Sequence, residues 1–277
     1  MKTKKKEAIN ICVAAGNSYT KVGIYKDGAL ADFFKFESRP LSDLNSKVNF
    51  FTEKIKRNLS KKSENLPLLM THCSTIKEAP DYYQALAEKL SASFLLINSE
   101  LNIPLKINYN PENTLGTDRI CAAVSAYKKY AAEADNILVI DFGTATTFNL
   151  IKKNTFEGGL ILPGFGLYSN SLGNSCDRLF RVHFNKISGF LCRDTQSALV
   201  AGIYGGYSIL INGLYEKLLN DAQVSPKDVC TVITGGFSSF FTTNVEFSVI
   251  NDQNLVLDGM KILSEINFHS EFKVMAR

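Results

Sequence analysis

Two short glycine turns and one acidic–basic pair carry the chemistry available to this sequence. Ala14-Ala15-Gly16-Asn17-Ser18 and Asp141-Phe142-Gly143-Thr144-Ala145-Thr146-Thr147 each follow an apolar run that reads as a strand. Small residues let backbone N–H groups come close to a phosphate, and hydroxyls add donors. A single Gly-Thr turn is more often an ordinary hairpin, but two at equivalent places in two halves of a chain can grip a polyphosphate. The pair is Asp118-Arg119, within Leu115-Gly116-Thr117-Asp118-Arg119. It falls in the first turn of an expected helix, where negative charge is favoured. A carboxylate there can take a proton from a hydroxyl. The neighbouring guanidinium offers a planar fork to a carboxylate or phosphate. The plain alternative is a capping Asp beside a surface Arg.

Other signals are missing. There is no G-x-x-x-x-G-K-[ST] loop, and no G-x-G-x-x-G follows a strand. Gly202-Ile203-Tyr204-Gly205-Gly206 lies inside a helical pattern and reads as close helix packing rather than a cofactor loop. The six cysteines, Cys12, Cys73, Cys121, Cys176, Cys192 and Cys230, contain no C-x-x-C pair. They read as free thiols in a reducing, cytoplasmic compartment. His72, His183 and His269 form no H-E-x-x-H and read as structural or surface histidines.

The elements that must position these groups follow from periodicity and turn residues. Strands are expected at Ile9–Ala14, Tyr19–Tyr25 and Leu30–Phe36, with Lys26-Asp27-Gly28 as a hairpin turn. A helix over Ser42–Leu59, a strand at Leu66–Thr71, a helix over Asp81–Leu90 and a strand at Phe94–Ile97 come next. Residues 98–113, with Pro104 and Pro111, read as a loop, and Leu115–Tyr130 as a helix. The pattern then restarts. Strands are expected at Asn136–Asp141, Ala145–Ile151 and Phe156–Leu162, then a long helix over Thr195–Leu219. A strand at Val229–Thr234, another at Phe247–Val249 and a helix over Leu255–Ile266 complete the chain.

One large-scale repeat is therefore expected: an α/β protein of two similar halves, 1–134 and 135–277, with mixed sheets flanked by helices and a cleft between them. The 277 residues, 45% of them hydrophobic, are enough to bury roughly 70–75% of the chain's surface without disulfides or metals. The apolar run around Ile137–Ile140 is far short of the ~20 residues that span a membrane. No secretory leader is expected. Net charge is +4, and Lys2, Lys4, Lys5 and Lys6 supply four positive charges. The body is then near neutral, which argues against a nucleic-acid binder. The basic start reads as a solvated tail.

Taken in order and spacing, several segments resemble the type III pantothenate kinases and, more broadly, the sugar-kinase/actin/Hsp70 nucleotide-binding fold with its ribonuclease-H-like halves. They are Gly16-Asn17-Ser18-x-x-Lys21, Tyr109 through Arg119, Asp141 through Thr147, Gly158-Gly159-x-Ile161-x-Pro163-Gly164, Thr195-Gln196-Ser197-Ala198 with Gly202, and Thr234-Gly235-Gly236. The resemblance implies ATP-dependent phosphorylation of pantothenate, the first step towards coenzyme A. It implies that Ala14, Ala15, Gly16, Asn17, Ser18, Tyr19, Thr20 and Lys21 form a first phosphate loop. Thr144 would contact ATP, and Gly235 and Gly236 would lie near the adenosine. Tyr109, Gly116, Thr117, Asp118 and Arg119 would bind pantothenate, with Asp118 as the catalytic base. Asp141 would bind a monovalent cation, K⁺ or NH₄⁺, beside ATP with Mg²⁺. Thr195 would reach pantothenate across a homodimer interface. Three positions depart from the family pattern. Ala14 replaces an Asp, Ser18 replaces a Thr, and Asn149 stands where an acid often follows the second turn. The first implies a slow enzyme or one with high metal demand. It also favours the alternative of an impaired homologue that acts as a ligand-binding or transcription-accessory protein.

Overall fold

The computed structural model describes residues 8–41, 43–58, 66–183 and 187–274. The basic segment read as a solvated tail lies outside the described residues, as do Ser42 and Leu59 at the ends of the first expected helix.

By compactness the chain divides into two units, residues 1–125 with 254–277, and residues 126–253. The first contains β1 (Ile9–Ala15), β2 (Tyr19–Lys26), β3 (Ala29–Glu37), α1 (Leu44–Asn58), β4 (Leu68–Ser74), α2 (Ala79–Lys89), β5 (Ser93–Leu96) and β6 (Lys106–Ile107). A 3₁₀ turn at Glu112–Thr114 precedes α3 (Thr117–Tyr130), which crosses the division. The stretch 98–113 is thus more structured than the loop expected of it. The sheet runs β3-β2-β1-β4-β5. The β1–β2 and β2–β3 pairings are antiparallel, and β1–β4 and β4–β5 are parallel. Asp27 and Gly28 both take positive φ, 52° and 81°, which a tight hairpin turn between twisted strands requires. Ile9, Ile11, Val13 and Ala15 pack with Phe51, Ile55, Tyr83 and Leu86 of α1 and α2. The alternate residues of β1 point to the opposite face of the sheet.

The second unit repeats the pattern with β7 (Asn136–Phe142), β8 (Ala145–Lys152), β9 (Thr155–Pro163), α4 (Phe165–Ser175), α5 (Thr195–Val200), a π turn at Ala201–Gly205, α6 (Gly206–Asp221), β10 (Val229–Thr234), α7 (Ser238–Phe241) and β11 (Ile250–Asn251). Its strand order is β9-β8-β7-β10-β11, with β7–β8 and β8–β9 antiparallel and β7–β10 and β10–β11 parallel. The repeat read from the sequence is therefore a repeat of pairing order and direction.

Three elements differ from expectation. The last strand is Ile250–Asn251, not Phe247–Val249, because the Phe247 ring stacks on Tyr215 of α6 at 3.7 Å and is used for packing. The helix expected over Thr195–Leu219 carries a π turn. That run, Thr195–Asp221, is also long and apolar enough by composition to cross a membrane, unlike the short run around Ile137–Ile140. One of its faces, including Val200, Ile203, Tyr207, Ile211, Tyr215 and Leu219, lies in the core of the second unit, while Ile209 and Leu210 are exposed. The third is the C-terminal helix α8 (Leu255–Val274), which is longer than expected and packs on the first sheet rather than staying with the second half. Tyr25 Oη donates to Asp258 at 2.6 Å, and Cys73 Sγ lies 3.5 Å from Met260 Sδ. Gly259 lets α8 cross α3 closely, since a Cβ there would stand 1.9 Å from the Cys121 carbonyl oxygen.

Candidate active site

In the first unit, α3 sets the acidic–basic pair. Gly116 precedes the helix, and a Cβ on it would lie 2.7 Å from Asp118 Oδ1. Glycine therefore leaves the space into which the Asp118 carboxylate folds back. That carboxylate accepts from the Arg119 N–H at 2.8 Å. Burial raises the Asp118 pKa above its ordinary 3.8, and the Arg119 N–H and the Arg119 charge oppose part of that rise. A carboxylate so raised is a better proton acceptor than an exposed one. Arg119 itself is only 5% exposed. Its Nη1 donates to Tyr109 Oη at 3.3 Å, and its guanidinium carbon lies 5.3 Å from the Tyr109 ring centroid. Tyr109, Gly116, Asp118 and Arg119 are thus brought together as one group. Thr117 Oγ1 is buried without a hydrogen-bond partner among the described residues.

The first turn belongs to the same unit. Gly16 N–H donates to the Tyr19 carbonyl at 3.2 Å, closing the turn between β1 and β2, and Asn17 and Ser18 are exposed. Ser38, at the end of β3, fixes it from the side. Its hydroxyl donates to the Gly16 carbonyl at 2.6 Å and lies 3.0 Å from Thr20 Oγ1, while its N–H donates to the Ser18 carbonyl at 3.1 Å. Sequence reasoning missed Ser38, because a serine after a strand gives no signal of a bond 22 residues back. Ala14 pairs in register with Cys73. Cys73 in turn lies beside Cys121, one helical turn beyond Asp118. Packing in the first unit therefore links the end of β1 to the start of α3.

In the second unit, Asp141, the penultimate residue of β7, lies against two glycines. A Cβ on Gly235 would lie 2.4 Å from Asp141 Oδ1, and one on Gly143 would lie 3.4 Å from it. Gly235 also takes φ +96°, open to few other residues. Gly164, which sequence reasoning left without a role, holds Thr144: its N–H donates to the Thr144 carbonyl at 3.0 Å. Any Cβ on Gly164 would strike the Gly143 and Thr144 oxygens at 2.3 and 2.4 Å. Asp141, Gly143, Thr144 and Gly235 are therefore gathered, with Gly236 next in the chain and open on its side-chain face. Asn149 is buried and donates to Thr147, the register partner of Asp141. Thr195 begins α5 and is exposed, behind Asp194, whose carboxylate accepts from the Ser197 N–H at 2.8 Å.

The glycines at 143 and 235 leave room for the Asp141 carboxylate, the one acidic group gathered there. No group of three His, Cys, Asp or Glu side chains suited to a metal occurs among the described residues. A cation held by Asp141 would therefore need carbonyl, water or phosphate oxygens for its remaining ligands.

A family model described as type III pantothenate kinase matches residues 10–217. The type III pantothenate kinase of Sulfurihydrogenibium sp. is 28% identical over 92% of this chain and 99% of its own. That of Finegoldia magna is 27% identical over 94% and 98%. Among solved structures, a Campylobacter jejuni protein described as a Baf family transcriptional activator superposes with a TM-score of 0.58 at 19% identity, covering 92% of this chain and 97% of its own. MreB5 of Spiroplasma citri bound to ADP gives 0.52 at 12% identity, over 95% and 98%. These two likenesses bear on the fold alone, which is that of actin-like ATPases.

Proposed function

The chain belongs to the type III pantothenate kinase family, and we propose that the Tyr109–Arg119 group of its first unit is where the acceptor alcohol is held and activated. The activity is ATP-dependent phosphorylation of pantothenate, in coenzyme A biosynthesis. The observation that carries the site assignment is the Asp118 carboxylate. It is folded against Gly116, raised in pKa by burial, and set beside an Arg119 that is itself held by Tyr109.

In this reading Arg119 receives the pantothenate carboxylate or a phosphate through its fork, and Thr117 offers its hydroxyl. Asp118 takes the proton of the primary hydroxyl as that oxygen bonds to the γ-phosphorus of ATP. The bond from γ-phosphorus to the bridging oxygen breaks, and ADP leaves. We assign the Ala14–Lys21 turn and Thr144 to phosphate, and Gly235 and Gly236 to the nucleoside, with Gly236 the one whose side-chain face is open. Asp141 holds a cation, K⁺ or NH₄⁺. A divalent ion arriving with ATP supplies charge neutralisation of the kind phosphoryl transfer needs. The enzyme is cytoplasmic, consistent with six free cysteines. It is a homodimer in which Thr195 completes the partner's pocket. Exposed Ile209, Leu210, Phe190 and Leu191 in the second unit support a covered face.

ADP release measured with and without pantothenate, and with and without K⁺, tests the assignment in wild type and Asp118→Asn. Asn should remove pantothenate-dependent release and leave pantothenate binding. Near-full turnover would make Asp118 only a helix cap. A second reading, an impaired ligand-binding homologue, is favoured by Ala14, and pantothenate binding without turnover in wild type would select it.

A further inference from the structure

Ala14, Lys21 and Lys35 form one row across the first sheet: Ala14 pairs with Lys21, and Lys21 with Lys35. Register partners on adjacent strands point to the same face, with Cβ atoms about 5 Å apart. Two lysines directly opposed are unfavourable in the absence of an anion. Neither forms a salt bridge among the described residues. Glu37 stands opposite Tyr19, two residues further along the same face, and does not close on either lysine. The Lys35 ammonium lies 5.3 Å from the Tyr19 ring centroid, which draws it towards the end of the strand pair where Gly16, Asn17 and Ser18 turn. The row continues through Ala14 to Cys73, and so to the face on which Cys121 of α3 packs.

We propose that Lys35 is a second phosphate-binding residue, which acts with Lys21 on the polyphosphate of ATP. Position 14 supplies no carboxylate, so the row carries two ammoniums and nothing within it that neutralises them. A nucleoside di- or triphosphate is the ligand that does. Lys35 thereby offsets the missing acid of β1, by meeting phosphate charge directly. The inference rests on assigning the Ala14–Lys21 turn to phosphates.

The test is ADP binding by calorimetry, at fixed Mg²⁺ and again in excess EDTA, for wild type, Lys35→Gln, Lys35→Arg, Lys21→Gln and a control, Lys56→Gln, on the exposed side of α1. Lys35→Gln should weaken ADP on the order of tenfold, as loss of a charge-assisted bond does. Lys35→Arg should restore most of it, and Lys56→Gln should change nothing. The ligand-free Lys35→Gln protein should melt no lower than wild type, because a like-charge contact has been removed. That separates lost binding from lost folding. Unchanged ADP affinity in Lys35→Gln, beside a loss in Lys21→Gln, overturns the role of Lys35 and keeps the turn assignment. Unchanged affinity in both overturns the turn assignment as well.

Discussion

Asp141 stands in the second sheet where Ala14 stands in the first. Each is the penultimate residue of its strand. Each pairs in parallel with the fourth strand of its pattern, at Thr234 and Cys73, and in antiparallel with the second, at Thr147 and Lys21. The repeat therefore offers two equivalent positions for a carboxylate, and this chain fills one. Ala14→Asp would fill the other. It should raise pantothenate-dependent kcat or lower the Mg²⁺ needed for half-maximal rate, since one preorganised electrostatic group is commonly worth on the order of 10²–10³ in rate. A folded variant that is no faster at any Mg²⁺ concentration, beside a fast wild type, would show that the vacant carboxylate is no defect.

The two adjacent glycines of the second unit should behave differently. A Cβ at Gly235 meets Asp141 and the Phe142 backbone at 2.4–2.6 Å and must adopt φ +96°, whereas nothing lies within 4 Å of a Cβ at Gly236. Gly235→Ala should cost on the order of 1–3 kcal/mol in denaturant unfolding and weaken ATP as Asp141 moves. Gly236→Ala should leave stability within about 0.5 kcal/mol. Equal losses in the two variants would contradict the cradle around Asp141.

Asp118 should set the acid limb of the pH–rate profile. Its pKa is raised above 3.8 by burial, so kcat/KM should fall with decreasing pH at an apparent pKa above that of an exposed Asp. Asp118→Asn should lower kcat by about 10²–10⁴. An acid limb unchanged in the variant's residual activity would assign the titration to another group.

Arg119→Lys should raise KM for pantothenate more than it lowers kcat, because an ammonium cannot reproduce the fork or the stacking on Tyr109. An unchanged KM would remove Arg119 from the acceptor site.

His72 lies wholly inside the first unit, with Nδ1 3.0 Å from the Val13 carbonyl and its ring against Tyr83. Burial lowers its pKa from 6.5 to about 4. The fold binds the neutral ring, so stability is complete above pH 6.5 and lost as pH falls from there towards 4, by about 3 kcal/mol at full protonation. Urea titrations at pH 7 and 4.5 should show that loss in wild type and a smaller one in His72→Phe. The same pH dependence in both proteins would discharge His72.

Much of this was legible in the sequence because the signals are local. The Asp27-Gly28 turn, the alternation of Tyr19–Tyr25 and the glycine turn after each first strand need only neighbours in the chain. The glycine at 116 also marks the Asp118 site locally. What could not be read joins distant residues. The Tyr25–Asp258 bond, which helps place α8 on the first sheet, spans 233 positions. The facing of Lys21 and Lys35 depends on a pairing register, and a shift of one residue would have put Lys35 on the other face. Phe247 read as part of a strand because its neighbours alternate, and only the ring of Tyr215 shows why it packs instead.

The central claim is that phosphate moves from ATP to the alcohol of pantothenate, with Asp118 as base. Its most direct test is mass spectrometry of the product after incubation with ATP, Mg²⁺, K⁺ and pantothenate, with ADP quantified in the same sample. The account predicts 4′-phosphopantothenate and ADP in equal amounts from wild type, and a loss of both by about 10²-fold or more in Asp118→Asn. ADP formed without pantothenate, or phosphopantothenate formed equally well by the variant, would contradict it.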